Sequence, residues 1–176
     1  WETQLMAMMS ELWNYMIGNN EIYLANFTEI EEEDVKKFIK LKELGAKVIE
    51  FGMRRRYSLY NQARVLTLAK GILGENLLGT SNVMLARKMK IKPIGTIAHE
   101  VPMLIATLSE CPIVANKDAL ILWNECYGNK LNLALPDTFT TNKFFEKTDP
   151  LIIKNLDGLR QDSGDPFAFT YKYDKW

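Results

Sequence analysis

KVIEFGMRRRYSLYNQARVLTLAKGILGENLLGT, residues 47–80, carries the pattern that decides the fold class. It opens on a short apolar run, Lys47-Val48-Ile49-Glu50-Phe51, which Gly52 ends. The run is short, β-branched and bounded by a turn residue, and so reads as a buried strand. Ser58 can then cap a helix that carries Leu59, Ala63, Leu66 and Leu73. Leu77-Leu78 begins a second short strand before Gly79 and Thr80. Strand, helix and strand in this order make a βαβ unit, whose strands lie parallel.

The alternation continues outward in both directions. Upstream, residues 3–17 read as a helix rich in Met, Leu and Trp. Thr28 and Glu31 have capping-box spacing, and Val35, Phe38, Ile39 and Leu41 keep helical periodicity as far as Gly45, a helix stop. The run Glu31-Glu32-Glu33-Asp34 suits the positive N-terminal end of that helix, as a solvated first turn. Downstream, Ser81 is a candidate cap for the next helix, and Pro93-Ile94 enters a third strand-like stretch. A helix through Met103, Ala106 and Leu108 follows, and then a helical stretch at 118–126. Leu131–Leu135 reads as strand, Thr140–Lys147 as helix and Leu156–Leu159 as strand. Five strands are too few to close an eight-stranded barrel, so the expectation is an α/β fold with an open sheet or an incomplete barrel.

Composition narrows the class of function. The chain has 176 residues, enough for a domain with a real core, and 47% hydrophobic content, ordinary for a globular protein. Lys plus Arg and Asp plus Glu both number 22. That balance gives no whole-chain attraction to nucleic acid or to an anionic membrane, so any anion site must be local. Two cysteines, Cys111 and Cys126, do not make a disulfide framework; they read as small buried hydrophobes in a reducing, cytoplasmic setting. Met6, Met8, Met9 and Met16 read as core or interface packing. No apolar run reaches membrane-span length and no signal peptide is visible. The chain starts at Trp1, inside a helix, and stops in the polar aromatic run Tyr171–Trp176, so both ends read as cuts.

Polar clusters follow the five strands: FGMRRR at 51–56, GTSN at 79–82, GTIAHE at 95–100, LPDTF at 135–139 and GLRQDSGDP at 158–166. In parallel sheets such clusters gather at one rim, where α/β enzymes place their chemistry. Arginines and backbone donors suit phosphates or carboxylates. Asp137 and Asp162 suit sugar hydroxyls, or a Mg²⁺ held between carboxylate and diphosphate. The residues by themselves therefore point to a phosphorylated sugar or nucleotide, with metal. Each cluster also has a plainer reading. Arg55 and Arg56 can form a solvated basic loop, His99 can be structural, Ser81 can be only a helix cap, and 162–166 can be only a turn.

In this order, FGMRRRYS, LLGTSN, GTIAHE, LALPDTF and GLRQDSGDP resemble the strand-end motifs of the nicotinate phosphoribosyltransferase family, over Phe51–Pro166. WETQLMAM at the start resembles the segment leading into that family's barrel. The resemblance implies a partial or irregular TIM-like (β/α) barrel of the type II phosphoribosyltransferase kind. Residues 46–176 would be part of the barrel and 1–45 a helical lead-in. It implies that nicotinate is joined to 5-phosphoribosyl 1-diphosphate, giving nicotinate mononucleotide and diphosphate in NAD biosynthesis. Mg²⁺ would be the cofactor, and ATP a co-substrate hydrolysed through a phosphohistidine. By motif match, His99 resembles the phosphorylated histidine, and Asp137 and Asp162 the carboxylates holding ribose hydroxyls and metal, Asp162 being the metal candidate. Phe51 resembles the ring edge of the base pocket, Arg54 the strand-end arginine that handles phosphate or diphosphate, and Arg160 the arginine near the base and its phosphates. Ser81 stands where nicotinamide-using relatives carry aspartate. The family is expected to act as a cytoplasmic homodimer, with no nucleic-acid or membrane partner. The family's later glycine-rich phosphate loop and its N-terminal aromatic segment have no counterpart in these 176 residues, so the isolated chain is expected to be inactive or nearly so. Two other readings stand beside this one: the nicotinamide-specific relative, and a non-catalytic barrel fragment.

Overall fold

The computed structural model describes residues 2–17, 27–109, 111–128, 130 and 132–175. The fold is mixed α/β and divides into two compact units, Trp1–Gly95 and Thr96–Trp176.

The first unit is built on the βαβ pattern. Strands β1 (Val48–Glu50) and β2 (Leu77–Thr80) pair in parallel, with Glu50 opposite Thr80. Helix α3 (Leu59–Leu73) connects them. Ser58 caps it as expected, its hydroxyl accepting from the Asn61 N–H at 3.0 Å. The apolar side of α3 buries Leu66, Ala69 and Leu73 against Phe38 of α2 (Phe27–Glu43), Leu77 of β2 and Leu85. Gly45 takes a left-handed φ of 65° after α2, which is the helix stop the sequence marks.

Several expectations for this unit need correction. Helix α2 already begins at Phe27, so Thr28 is not its N-cap, and the Thr28 side chain lies outside the described residues. The acidic run therefore sits in the second turn, where Asp34 pairs with Arg64 at 2.8 Å and Glu31 approaches it at 3.9 Å. The cap of α4 (Val83–Met89) is Asn82, not Ser81: the Asn82 side chain accepts from the Leu85 N–H at 3.1 Å. Pro93 makes only one parallel bridge, to Thr80, so the third strand is reduced to a single contact. Gly79 makes that contact possible, because a Cβ there would collide with the Lys92 carbonyl and the Ile94 side chain. Met8, Met9 and Met16 of α1 (Glu2–Ile17) are exposed, so of the two readings, core or interface, the core one does not hold for them.

The second unit carries helices α5 (Glu100–Ser109) and α6 (Pro112–Tyr127), which pack against each other. Strands β3 (Leu133–Ala134) and β4 (Gly158–Leu159) pair in parallel. Between them lie α7 (Thr141–Lys147) and the short α8 (Pro150–Ile153); α9 (Pro166–Lys175) closes the described chain. Both strands are shorter than expected, and Leu131 lies outside the described residues. Ile97, Ala119 and Leu135 form one buried cluster, and Leu120, Ala134 and Phe144 another. Cys126 is exposed and Cys111 half-buried, which corrects the reading of both as buried hydrophobes. Among the described residues no helix is long and apolar enough to cross a membrane.

Candidate active site

Three segments bring the polar groups of the second unit together. GTIAHE runs into the start of α5, where the His99 carbonyl accepts the Met103 N–H at 3.1 Å and fixes the backbone beside the imidazole. The buried Leu135 and Pro136 lead from β3 into Asp137. The Arg160 N–H continues the β4 ladder by donating to the Ala134 carbonyl at 2.8 Å. Parallel pairing thus sets Asp137 and Arg160 beyond two adjacent strand ends, as the sequence pattern implies.

His99 Nε2 lies 3.0 Å from Asp137 Oδ1, and its Nδ1 lies 3.9 Å from Asp162 Oδ2. Ser163 donates its hydroxyl to the other Asp137 oxygen. Burial would raise the Asp137 pKa, but the bonds from Ser163 and His99 outweigh it and hold the carboxyl below its usual range. Asp137 is therefore an acceptor at neutral pH, and the proton of the 3.0 Å contact rides on Nε2. In the neutral imidazole this leaves the lone pair on Nδ1, facing Asp162 at a distance too long for a hydrogen bond. Arg160 donates to Asp162 at 2.7 Å, to the Thr96 hydroxyl at 2.7 Å and to the Ile97 carbonyl at 3.3 Å, so its guanidinium is fixed in place. A nucleophilic nitrogen, a held cation and an exposed carboxylate are what an anionic phosphate ester would meet here.

The donor set bears on metal. One oxygen of each of Asp137 and Asp162 and a ring nitrogen of His99 lie within 4.8 Å of one another. Both Asp137 oxygens already accept hydrogen bonds, and imidazole is a poor ligand for Mg²⁺, which favours oxygen donors. Asp162, 41% exposed at its side chain, is the residue of the three that fits an ion completed by phosphate and water.

The remaining candidates lie in the first unit. Phe51 is exposed just beyond β1. Arg54 lies in a short 3₁₀ turn, Met53–Arg55, and pairs with Glu2 at 3.1 Å; both side chains are well exposed, so the pair is worth little. Arg56 is only 14% exposed and binds Glu11, so it is not part of a solvated basic loop, whereas Arg55 is exposed. The Ser81 N–H donates to the Glu50 carbonyl at 2.8 Å, while its hydroxyl is buried with no hydrogen-bond partner among the described residues. That is unusual for a buried polar group and suits a position that meets a ligand.

Several participating residues were not singled out from the sequence. Ser163 and Thr96 lie inside the GLRQDSGDP and GTIAHE strings, but nothing local marks them as partners of Asp137 and Arg160. Glu50 accepts from Gln62, Thr80 and the Gly52 N–H, and Gln62 in turn accepts from Asn82. This network ties together the ends of β1 and β2.

The family model of the nicotinate phosphoribosyltransferase (NAPRTase) family matches residues 46–176. The chain belongs to the nicotinate phosphoribosyltransferase family. It is 40% identical over 170 residues to the nicotinate phosphoribosyltransferase of Chromohalobacter salexigens, covering 97% of this chain and 43% of that protein. It is 37% identical over 180 residues to that of Saccharomyces cerevisiae, covering 98% of this chain and 41% of the relative. Among solved structures, nicotinate phosphoribosyltransferase from Porphyromonas gingivalis superposes with a TM-score of 0.89 at 35% identity, over 99% of this chain and 44% of the other. The chain thus spans less than half the length of the family members it matches.

Proposed function

We propose that the protein carrying this chain joins nicotinate to 5-phosphoribosyl 1-diphosphate, giving nicotinate mononucleotide and diphosphate, and couples this to ATP hydrolysis through a phosphohistidine at His99. Family membership supports the transfer reaction. The observation that carries the histidine's role is the 3.0 Å contact of His99 Nε2 with Asp137, which favours the tautomer protonated at Nε2 and supports Nδ1 as the nucleophile.

In the coupling step, Nδ1 of His99 attacks the γ-phosphorus of ATP. The N–P bond forms as the bond to the bridging oxygen breaks, and ADP leaves. Asp137 stabilises the cationic ring that develops, and hydrolysis later returns the imidazole. In the transfer step, the nicotinate ring nitrogen attacks C1′ as the C1′–O bond to diphosphate breaks through a cationic sugar. No serine or cysteine nucleophile is needed. Charge leaves with the diphosphate, so a fixed cation is the main catalytic resource, and Arg160 supplies one; Arg54, Phe51 and Ser81 keep the phosphate and base roles that their motifs imply. Asp162 would hold Mg²⁺, whose charge, when bound, neutralises the diphosphate. The same reading takes the βα units as part of a TIM-like barrel of the type II phosphoribosyltransferase kind, 1–45 being its helical lead-in, and the enzyme as a cytoplasmic homodimer in NAD synthesis.

The test is incubation of the complete protein with γ-labelled ATP. Acid-labile, base-stable label should appear and should vanish in His99→Ala; label that persists in the variant assigns the phosphate to another residue.

A further inference from the structure

Apart from the His99 cluster, the second unit has a cleft between the N-terminal turn of α6 and helix α7. Its open volume is about 200 Å³, room for a small molecule and not for a macromolecule. Phe139 and Phe144 supply apolar wall, and three lysines, Lys117, Lys143 and Lys147, line it without a carboxylate among them. Lys143 is partly neutralised by Glu146 at 3.3 Å, outside the cleft.

Two further observations point to a ligand. The first turn of α6 has no side-chain cap: Pro112 occupies its start, and Cys111 offers no hydrogen bond. A 16-residue helix with free N–H groups at this end favours an anion. Independently, Asn116 is only 8% exposed, yet its side-chain amide has no hydrogen-bond partner among the described residues and forms part of the cleft wall. Thr148, 7% exposed, lines the cleft in the same condition. Both residues line the cleft with polar atoms that no side chain or backbone group of the described residues takes up, so a ligand seated there can bond them.

We propose that this cleft binds a small phosphate monoester, its phosphate taken by the lysines and the α6 N-terminus and its organic part laid against Phe139. Three ammonium groups favour a group of charge near −2 over a single carboxylate, and Asn116 and Thr148 supply the directional bonds that free lysines lack. None of His99, Asp137, Arg160 and Asp162 lines the cleft, so the site is separate from the catalytic cluster.

The experiment titrates the complete protein with phenyl phosphate, followed by ³¹P and ¹H–¹⁵N NMR, with inorganic phosphate, benzoate and phenol as parallel probes. Phenyl phosphate should bind saturably and shift the amides of the first turn of α6 and of α7. It should bind more tightly than inorganic phosphate, which lacks the ring, and than benzoate, which carries half the charge; phenol should not bind. Lys143→Glu with Lys147→Glu should weaken the binding read at the α6 and α7 amides at least about tenfold, roughly 1.4 kcal/mol, and so should Asn116→Leu. The lysine pair is a surface change that preserves the fold, so it decides the matter even if the Asn116 variant unfolds. Equal binding of benzoate overturns the phosphate assignment. Binding lost in Arg160→Gln but retained in the lysine variant places the ligand on the catalytic cluster instead. Absence of saturable binding overturns the proposal.

Discussion

Replacing Glu50 by alanine tests whether a hydrogen-bonded knot holds the two strand ends that carry Phe51 and Ser81. One Glu50 oxygen accepts from the Gly52 N–H at 2.6 Å, Gln62 Nε2 lies 3.1 and 3.0 Å from the two oxygens, and the Thr80 hydroxyl donates to the second. Gln62 and Thr80 are 4% and 0% exposed, so water cannot replace the lost acceptor without rearrangement. A hydrogen bond to a charged acceptor contributes about 1.5–3 kcal/mol, and a buried donor left unpaired costs about 1–3 kcal/mol. Two buried side-chain donors lose their partner, and part of that loss is recovered by relaxation. Glu50→Ala should therefore destabilise the chain by roughly 2–4 kcal/mol. Glu50→Gln keeps one acceptor oxygen and should cost about half as much. In the Thr80→Val background one stranded donor is already gone, and Glu50→Ala should cost measurably less, with a coupling of about 1 kcal/mol. Urea unfolding followed by circular dichroism reads all five proteins (parent, three single variants and the double variant), at unchanged m-value. A Glu50→Ala midpoint within about 0.5 kcal/mol of the parent, or strict additivity with Thr80→Val, would refute the reasoning.

Ser81→Asp in the complete protein would set a carboxylate beside that of nicotinate; at about 4 Å and an effective dielectric near 20 the repulsion is roughly 4 kcal/mol, about a thousandfold in kcat/KM. The nicotinate-to-nicotinamide ratio should fall steeply, and an unchanged ratio would remove Ser81 from the base pocket. Asp137 is depressed in the fold, so its contribution to stability is present above its unfolded pKa of about 4 and is lost as pH falls through the lower folded value. The stability gap between the parent and Asp137→Asn should accordingly be widest near pH 7 and close below about pH 4; a gap independent of pH would contradict the assignment of the shift.

The features legible in the sequence are those set by local chemistry. β1, the Ser58 cap of α3, the Gly45 stop and the bracketing of α7 by Thr140 and Lys147 follow from patterns within a few residues. The convergence of His99, Asp137 and Asp162 followed from a rule of α/β topology together with the motif strings. What escaped was partner choice. Ser81 and Asn82 are both good capping residues, and Asn82 takes the cap because Gln62 and Thr80 also hold it in place. The Glu50–Thr80 bond spans 30 positions and depends on parallel register, which no local pattern encodes. Helix α9 lies beyond the elements that periodicity predicts, although Asp165-Pro166 is a good start signal, with Asp165 accepting from the Phe167 N–H at 2.9 Å.

The most direct test of the central claim is product formation. The complete protein, given ring-labelled nicotinate, 5-phosphoribosyl 1-diphosphate and Mg²⁺, should yield labelled nicotinate mononucleotide. ATP should raise the yield in the parent but not in His99→Asn, and Arg160→Ala should abolish transfer. Formation of no mononucleotide by folded protein, or full transfer by Arg160→Ala, would contradict the account.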